Sequence, residues 1–216
     1  YLGTNYCSYD DERVTTINIG QDKGFSAGLK EMLKHVDEEI VIILLDDFLI
    51  MNKLDKEVFE KCLGEFEAKH AAYLKLIDTY PMARSASNNL TAELKENVRY
   101  MLGFYAGVWD KNWLISHVAE NMSPWDLDVD PRSYNLKQSD VVLTMNSSRK
   151  SRKLVKWHNA IIKGKWNYGS RSIIAKEAIA VETTSIPRIQ FSQYLYILLF
   201  LGLMKIFKII NYTWKI

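Results

Sequence analysis

The chain has only two cysteines, Cys7 and Cys62, among 216 residues. Two thiols cannot staple a fold, so the composition suits a reducing compartment rather than a disulfide framework. Net charge is also scarce: 28 Lys+Arg against 26 Asp+Glu leave a formal +2. That balance gives no bulk support to a nucleic-acid partner, and none is expected. No basic-then-apolar leader opens the sequence, and no internal repeat or low-complexity linker divides it. The apolar run YLYILLFLGLM, Tyr194 to Met204, is eleven residues long, too short to span a bilayer. A glycine-rich basic phosphate loop is missing too, which counts against a nucleotidyltransferase.

What is present is a chain that is 48% hydrophobic, enough for one substantial core and one domain by default. RVTTINIG, from Arg13 to Gly20, alternates like a strand and ends on glycine. FSAGLKEMLKHV places Phe25, Leu29, Met32, Leu33 and Val36 at helical spacing. Ile40 to Leu45 is an unbroken apolar run, the mark of a strand buried on both faces. Helical spacing returns through Val58, Phe59, Cys62, Leu63 and Phe66, and AAYLKLID reads as a further strand. The alternation predicts an α/β fold with a mostly parallel central sheet flanked by helices. Further on, VRYMLGFYAGVWD reads as one or two antiparallel strands and KNWLISHVAENM as a helix.

The chemistry of the run EEIVIILLDDFLI lies at its end, where Asp46 and Asp47 stand side by side. Two adjacent carboxylates at the end of a buried strand are costly unless a cation offsets them. In open α/β sheets ligands bind beyond the carboxyl ends of strands. A divalent ion with oxygen ligands, completed by substrate phosphates, suits that place. The alternative is a pair that caps the next helix or meets surface lysines.

VIILLDDFLI, preceded by INIGQDKGFSAGLKEML, resembles the nucleotide-sugar-binding half of GT-A glycosyltransferases. The likeness is greatest to bacterial family-2-like enzymes of surface polysaccharide synthesis. It implies that Asp47 holds Mg²⁺ or Mn²⁺ on the donor diphosphate, with Asp46 facing the ribose or the same metal. Leu45 stands where a full DxD motif has its first carboxylate. Asp22, Gly24 and Ser26 match the loop and helix start that touch the nucleotide, where backbone N–H groups can meet a phosphate or hydroxyl. MSPWDLDVD, from Met122 to Asp130, matches the acceptor-side stretch, with leucine and aspartate replacing the commoner aromatic and glutamate. The resemblance implies Asp128 as the base that deprotonates the acceptor hydroxyl, Asp126 as its rival, and Trp125 as a face for a sugar ring. An acidic helix start is the plain alternative for both carboxylates. Trp109 and Trp113 read as core.

Arg149 to Lys176 is rich in lysine and arginine and contains no acid. Within it, Lys163 and Lys165 are expected to neutralise the donor diphosphate or the phosphates of a lipid-linked acceptor, with a solvated basic face as the alternative. His158 reads as a structural histidine or a third metal ligand. The tail joins its short apolar run to Lys205, Lys208, Trp214 and Lys215, a composition for a helix lying in a membrane interface.

Together these readings describe a GT-A domain over residues 1–185 and a C-terminal packing or membrane-interface helix over 186–216. The first strand–helix unit, roughly 30 to 50 residues, is expected to precede the chain. The implied activity is metal-dependent, inverting transfer of a sugar from a nucleotide-sugar, UDP-sugars favoured, to a glycan or lipid-linked acceptor. A peripheral position on the cytoplasmic face of the membrane is expected. The alternative is a noncatalytic carbohydrate- or nucleotide-binding protein of the same fold.

Overall fold

A computed structural model describes residues 1–77, 83–95, 100–129, 136–147, 154–177 and 185–199; the side chains of residues 127–129 lie outside the description. The chain divides into two compact units, one formed by Tyr1–Leu45 with Leu54–Val155, the other by Asp46–Lys53 with Lys156–Ile216.

The first unit opens with β1 (Leu2–Thr4) and β2 (Thr16–Asn18), which pair in parallel. Helix α1 (Phe25–Lys34) follows and then β3 (Ile40–Ile43). In the second unit, the chain forms β4 (Phe48–Ile50). It returns to the first for α2 (Lys56–Ala68), β5 (Tyr73–Lys75), β6 (Thr91–Glu93) and β7 (Gly107–Asp110). Next come α3 (Lys111–His117), α4 (Pro124–Val129) and β8 (Val142–Met145). The second unit continues with β9 (Trp157–Asn159), β10 (Ile161–Ile162), β11 (Lys165–Trp166), α5 (Ser170–Lys176) and a helix over residues 191–199.

The expected helices form where the spacing put them, because each presents an apolar stripe to a core. Asp55 caps α2 by accepting from Val58 N–H, and Asp110 caps α3 by accepting from Trp113 N–H. The sheet departs from expectation. Its order is β3-β7-β5-β8-β6, and only the β5–β8 pair is parallel. It is a mixed sheet, not a mostly parallel one. β3, β5 and β8 run one way, while β7 and β6 run against them.

The reading of Ile40–Leu45 as buried on both faces also fails. β3 ends the row of described strands, and Ile42 and Leu44 are about half exposed. An end strand gains a neighbour on one side only, so its hydrophobicity exceeds its burial. The buried strands are central: Tyr73, Leu74, Val108, Trp109, Val142 and Leu143 are all sealed from solvent. Tyr73 lies against Trp109, with ring centroids 4.2 Å apart, and Phe104 against Trp109 at 5.5 Å. Gly107 is required by this stack, since a Cβ there would fall 2.3 Å from Tyr73 Cε2. Trp109 is core as expected, and Trp113 stacks on the ring of His117 at 4.0 Å.

Candidate metal and donor site

In the second unit the chain enters β4 directly from Asp46 and Asp47. β4 pairs antiparallel with β9, so that Phe48 faces Asn159, Leu49 faces His158 and Ile50 faces Trp157. The ladder extends one residue further, where Ala160 N–H donates to Asp47 O at 2.7 Å. Asp46 and Asp47 form the turn that leads into β4, and within the ladder Leu49 and His158 share one side. Phe48 and Trp157, on the other side, stack at 4.8 Å.

Asp47 is half-buried, and its carboxyl is pushed above the usual aspartate range, chiefly by burial and then by the negative charge of Asp46. Among the described residues no lysine or arginine forms an ion pair with either carboxylate. Neither one caps the following helix, which Asp55 does instead. Both bland explanations of the pair are therefore absent among the described residues; Asp46 is exposed and Asp47 half-buried, so water shares in solvating them.

His158 is held from behind. Ser170 is fully buried at the start of α5, and its hydroxyl donates to Ala160 O at 3.1 Å. The Ser170 oxygen also lies 2.9 Å from His158 Nε2, a hydrogen bond that either ring tautomer can make. Burial also lowers the His158 pKa, favouring the neutral ring. Nothing near His158 in sequence announces Ser170: a twelve-residue separation is closed only by the β10–β11 hairpin and α5. Lys163 and Lys165 lie on that hairpin. Its turn, Lys163–Gly164, has positive φ at both residues, the two-residue geometry that suits strand twist. Lys163 is exposed and Lys165 half-buried.

The other expected site residues belong to the first unit. Asp22 Oδ1 accepts from Gly24 N–H at 2.8 Å, and Gly24, with φ 89°, opens α1. There is open space around Gly24, so the backbone angle, not crowding, calls for glycine. Ser26 is buried in the first turn and lines a groove of about 360 Å³ along α1, with Lys23, Lys30 and Asn121.

The acceptor-side stretch forms α4. Ser123 and Asp126 exchange hydrogen bonds across its start. Ser123 N–H and Oγ donate to Asp126 Oδ2 at 2.7 and 2.8 Å, and Asp126 N–H donates to Ser123 Oγ at 3.3 Å. This is a capping box, with Pro124 in the first helical position. The Ser123 amide, then its hydroxyl, hold the Asp126 carboxyl below its usual range, which makes it a weaker base. Trp125 is 71% exposed, free to offer a face to a ligand. The backbone of Asp128 is in α4, but its side chain lies outside the described residues. So do Arg149, Lys150, Arg152 and Lys153, and the tail from residue 200 onward.

The residues at hand fit a hard cation in part. No three His, Cys, Asp or Glu side chains among the described residues form a ready-made metal cluster. A carboxylate pair with an uncompensated charge instead matches ions that complete their shell with water and substrate phosphates.

No family model matches the chain, and no curated protein matches it. Among solved structures it is similar to the UTP-bound UGPase from Acinetobacter baumannii, at 14% identity and a TM-score of 0.41. The likeness covers 69% of this chain and 56% of that one. The chain thus matches little more than half the length of that protein, a likeness too loose to bear on function.

Proposed function

We propose that this chain is a metal-dependent glycosyltransferase that takes its sugar from a nucleotide-sugar. The observation that carries the reading is the Asp46–Asp47 pair, half-buried at Asp47 and without a cationic partner among the described residues. Mg²⁺ or Mn²⁺ would be held by Asp47 with Asp46, the rest of its shell coming from water and the donor diphosphate. Bound there, the ion would supply positive charge to a leaving diphosphate.

The roles of the remaining residues follow from the sequence resemblance and from their settings. Asp22, Gly24 and Ser26 would meet the nucleotide, and Lys163 and Lys165 its phosphates. Trp125 would stack on the acceptor. Asp128 is preferred over Asp126 as the base, since the capping box already occupies Asp126. A glycan or lipid-linked acceptor fits this reading.

Titration calorimetry of UDP with and without Mn²⁺ tests the site. Asp47→Ala is expected to lose the Mn²⁺-dependent part of binding, while Asp128→Asn keeps it. Turnover of the donor should fall by roughly 10²- to 10⁴-fold in Asp128→Asn, the usual contribution of a general base. Unchanged UDP affinity in Asp47→Ala would sink the metal site. Binding without turnover in the unmutated chain would favour a noncatalytic binding protein.

A further inference from the structure

The second unit carries an apolar surface that its own core does not use. That core is small: Ala160, Trp166 and Ile174, with Leu49, Ile161 and Ile186 packed around them. The helix over residues 191–199 turns only Tyr194 and Ile197 partly inward. Phe191, Leu195, Tyr196, Leu198 and Leu199 are between 45% and 69% exposed. Positions 191, 195, 198 and 199 follow helical spacing, so four of these side chains form one stripe. A stripe of this kind facing water costs free energy unless something covers it.

Its attachment shows what kind of surface it belongs to. Tyr168 stacks on Tyr194 at 4.9 Å and meets Phe191 edge-on at 5.9 Å, which fixes the helix beside the β10–β11 hairpin. The chain entering the helix also pairs with that hairpin: Trp166 N–H donates to Pro187 O and Ile189 N–H to Trp166 O. Arg188, bridged to Trp166, is exposed, as is Lys163 at the hairpin tip. An apolar stripe and the basic side chains of Lys163 and Arg188 are therefore joined in one small assembly; Arg149 to Lys176 has no acid, while Glu177 and Glu182 separate it from the stripe. The residues that follow, 200–216, add apolar and aromatic side chains together with Lys205, Lys208 and Lys215.

We infer that this assembly docks the protein on an anionic phospholipid surface, with the 191–199 stripe in the interface and Lys163, Lys165 and Arg188 toward the headgroups. Apolar burial and attraction to negative lipid act together in such contacts. No helix among the described residues is long and apolar enough to cross a bilayer. The inference rests on the exposed stripe; it draws on Lys163 and Lys165, which the reaction proposed above also uses, but vesicle binding reads it without any turnover.

Co-sedimentation of the whole chain with vesicles tests it, using phosphatidylcholine alone and phosphatidylcholine with phosphatidylglycerol. The chain should pellet with the anionic vesicles and less with neutral ones, each basic residue near the surface contributing about fivefold. Leu195→Asp with Leu198→Asp should weaken binding at least about tenfold, as loss of buried apolar area requires. Both positions face solvent, and an unchanged circular-dichroism melt verifies the fold. Should that variant not fold, Lys163→Glu with Arg188→Glu decides: weaker anionic binding supports the inference and unchanged binding overturns it. Failure of the unmutated chain to bind either vesicle overturns it. So does self-association in sedimentation velocity that the leucine variant abolishes without any vesicle binding, which would assign the stripe to a second copy.

Discussion

The two units bury their aromatic residues in opposite ways. In the first, Tyr73, Phe104 and Trp109 are sealed between the central strands and their helices. In the second, Trp166 is the one aromatic of a small core, while Tyr168, Phe191 and Tyr196 face outward. The first unit seals a large aromatic core, although Tyr6 and Trp125 stay exposed on it. The second holds the candidate metal carboxylates, the histidine bonded to Ser170 and the basic hairpin, and it leaves apolar surface exposed. Where a core is thin, other tasks can claim the side chains.

The largest expected break in that contrast is Trp109→Ala. Removing a sealed tryptophan should cost about 3–5 kcal/mol, seen as a lower urea midpoint. Trp166→Ala should cost less, because the site is small and can partly collapse. Equal losses would show that the second core is as demanding as the first.

Gly107→Ala is the next test. Its new methyl would meet Tyr73, which is fully buried and cannot swing away, so a loss of about 1–3 kcal/mol is expected. A thermal melt reads it, and Tyr73→Phe, which frees no space at Cε2, should not rescue the variant. Full stability in Gly107→Ala would mean that the central strands are looser than this stack requires.

The smallest effect concerns pH in the second unit. Burial and Asp46 raise the folded pKa of Asp47 above its unfolded value. A raised carboxyl binds its proton more tightly in the folded state, so stability declines as pH rises from the unfolded pKa through the folded one. Asp47→Asn should therefore slightly raise the metal-free melting temperature at neutral pH and flatten its decline over that window. His158 works in the opposite sense: burial lowers its pKa, so its contribution is lost as pH falls below the ordinary histidine range. A melting temperature of Asp47→Asn that falls at neutral pH would show that the carboxylate is already compensated.

Much of the fold was legible in short stretches. The 3.6-residue spacing located α1, α2 and α3, since an apolar stripe must be buried whatever it packs against. The strand at Ile40 was found, but its burial was misjudged, because composition does not say how many neighbours a strand will have. The direction of β7, inserted antiparallel between β3 and β5, was equally hidden. At the site, Asp46 and Asp47 stood out as like charges next to an apolar run. Asp126 needed the structure, since only the exchange of hydrogen bonds with Ser123 separates a helix start from a base.

By itself, the sequence singled out the residues now proposed to carry chemistry: the paired aspartates, the acid-free basic stretch, the proline–tryptophan–acid motif and the apolar tail. Each is a property of neighbours in the chain, set by charge and hydrophobicity that no fold can alter. Tertiary structure alone decided how distant groups are matched. Phe48–Ile50 meets Trp157–Asn159 across more than a hundred residues, and Ser170 is brought within a hydrogen bond of His158. Such pairings rest on backbone hydrogen bonds, which every residue type offers alike, so the choice among partners falls to packing.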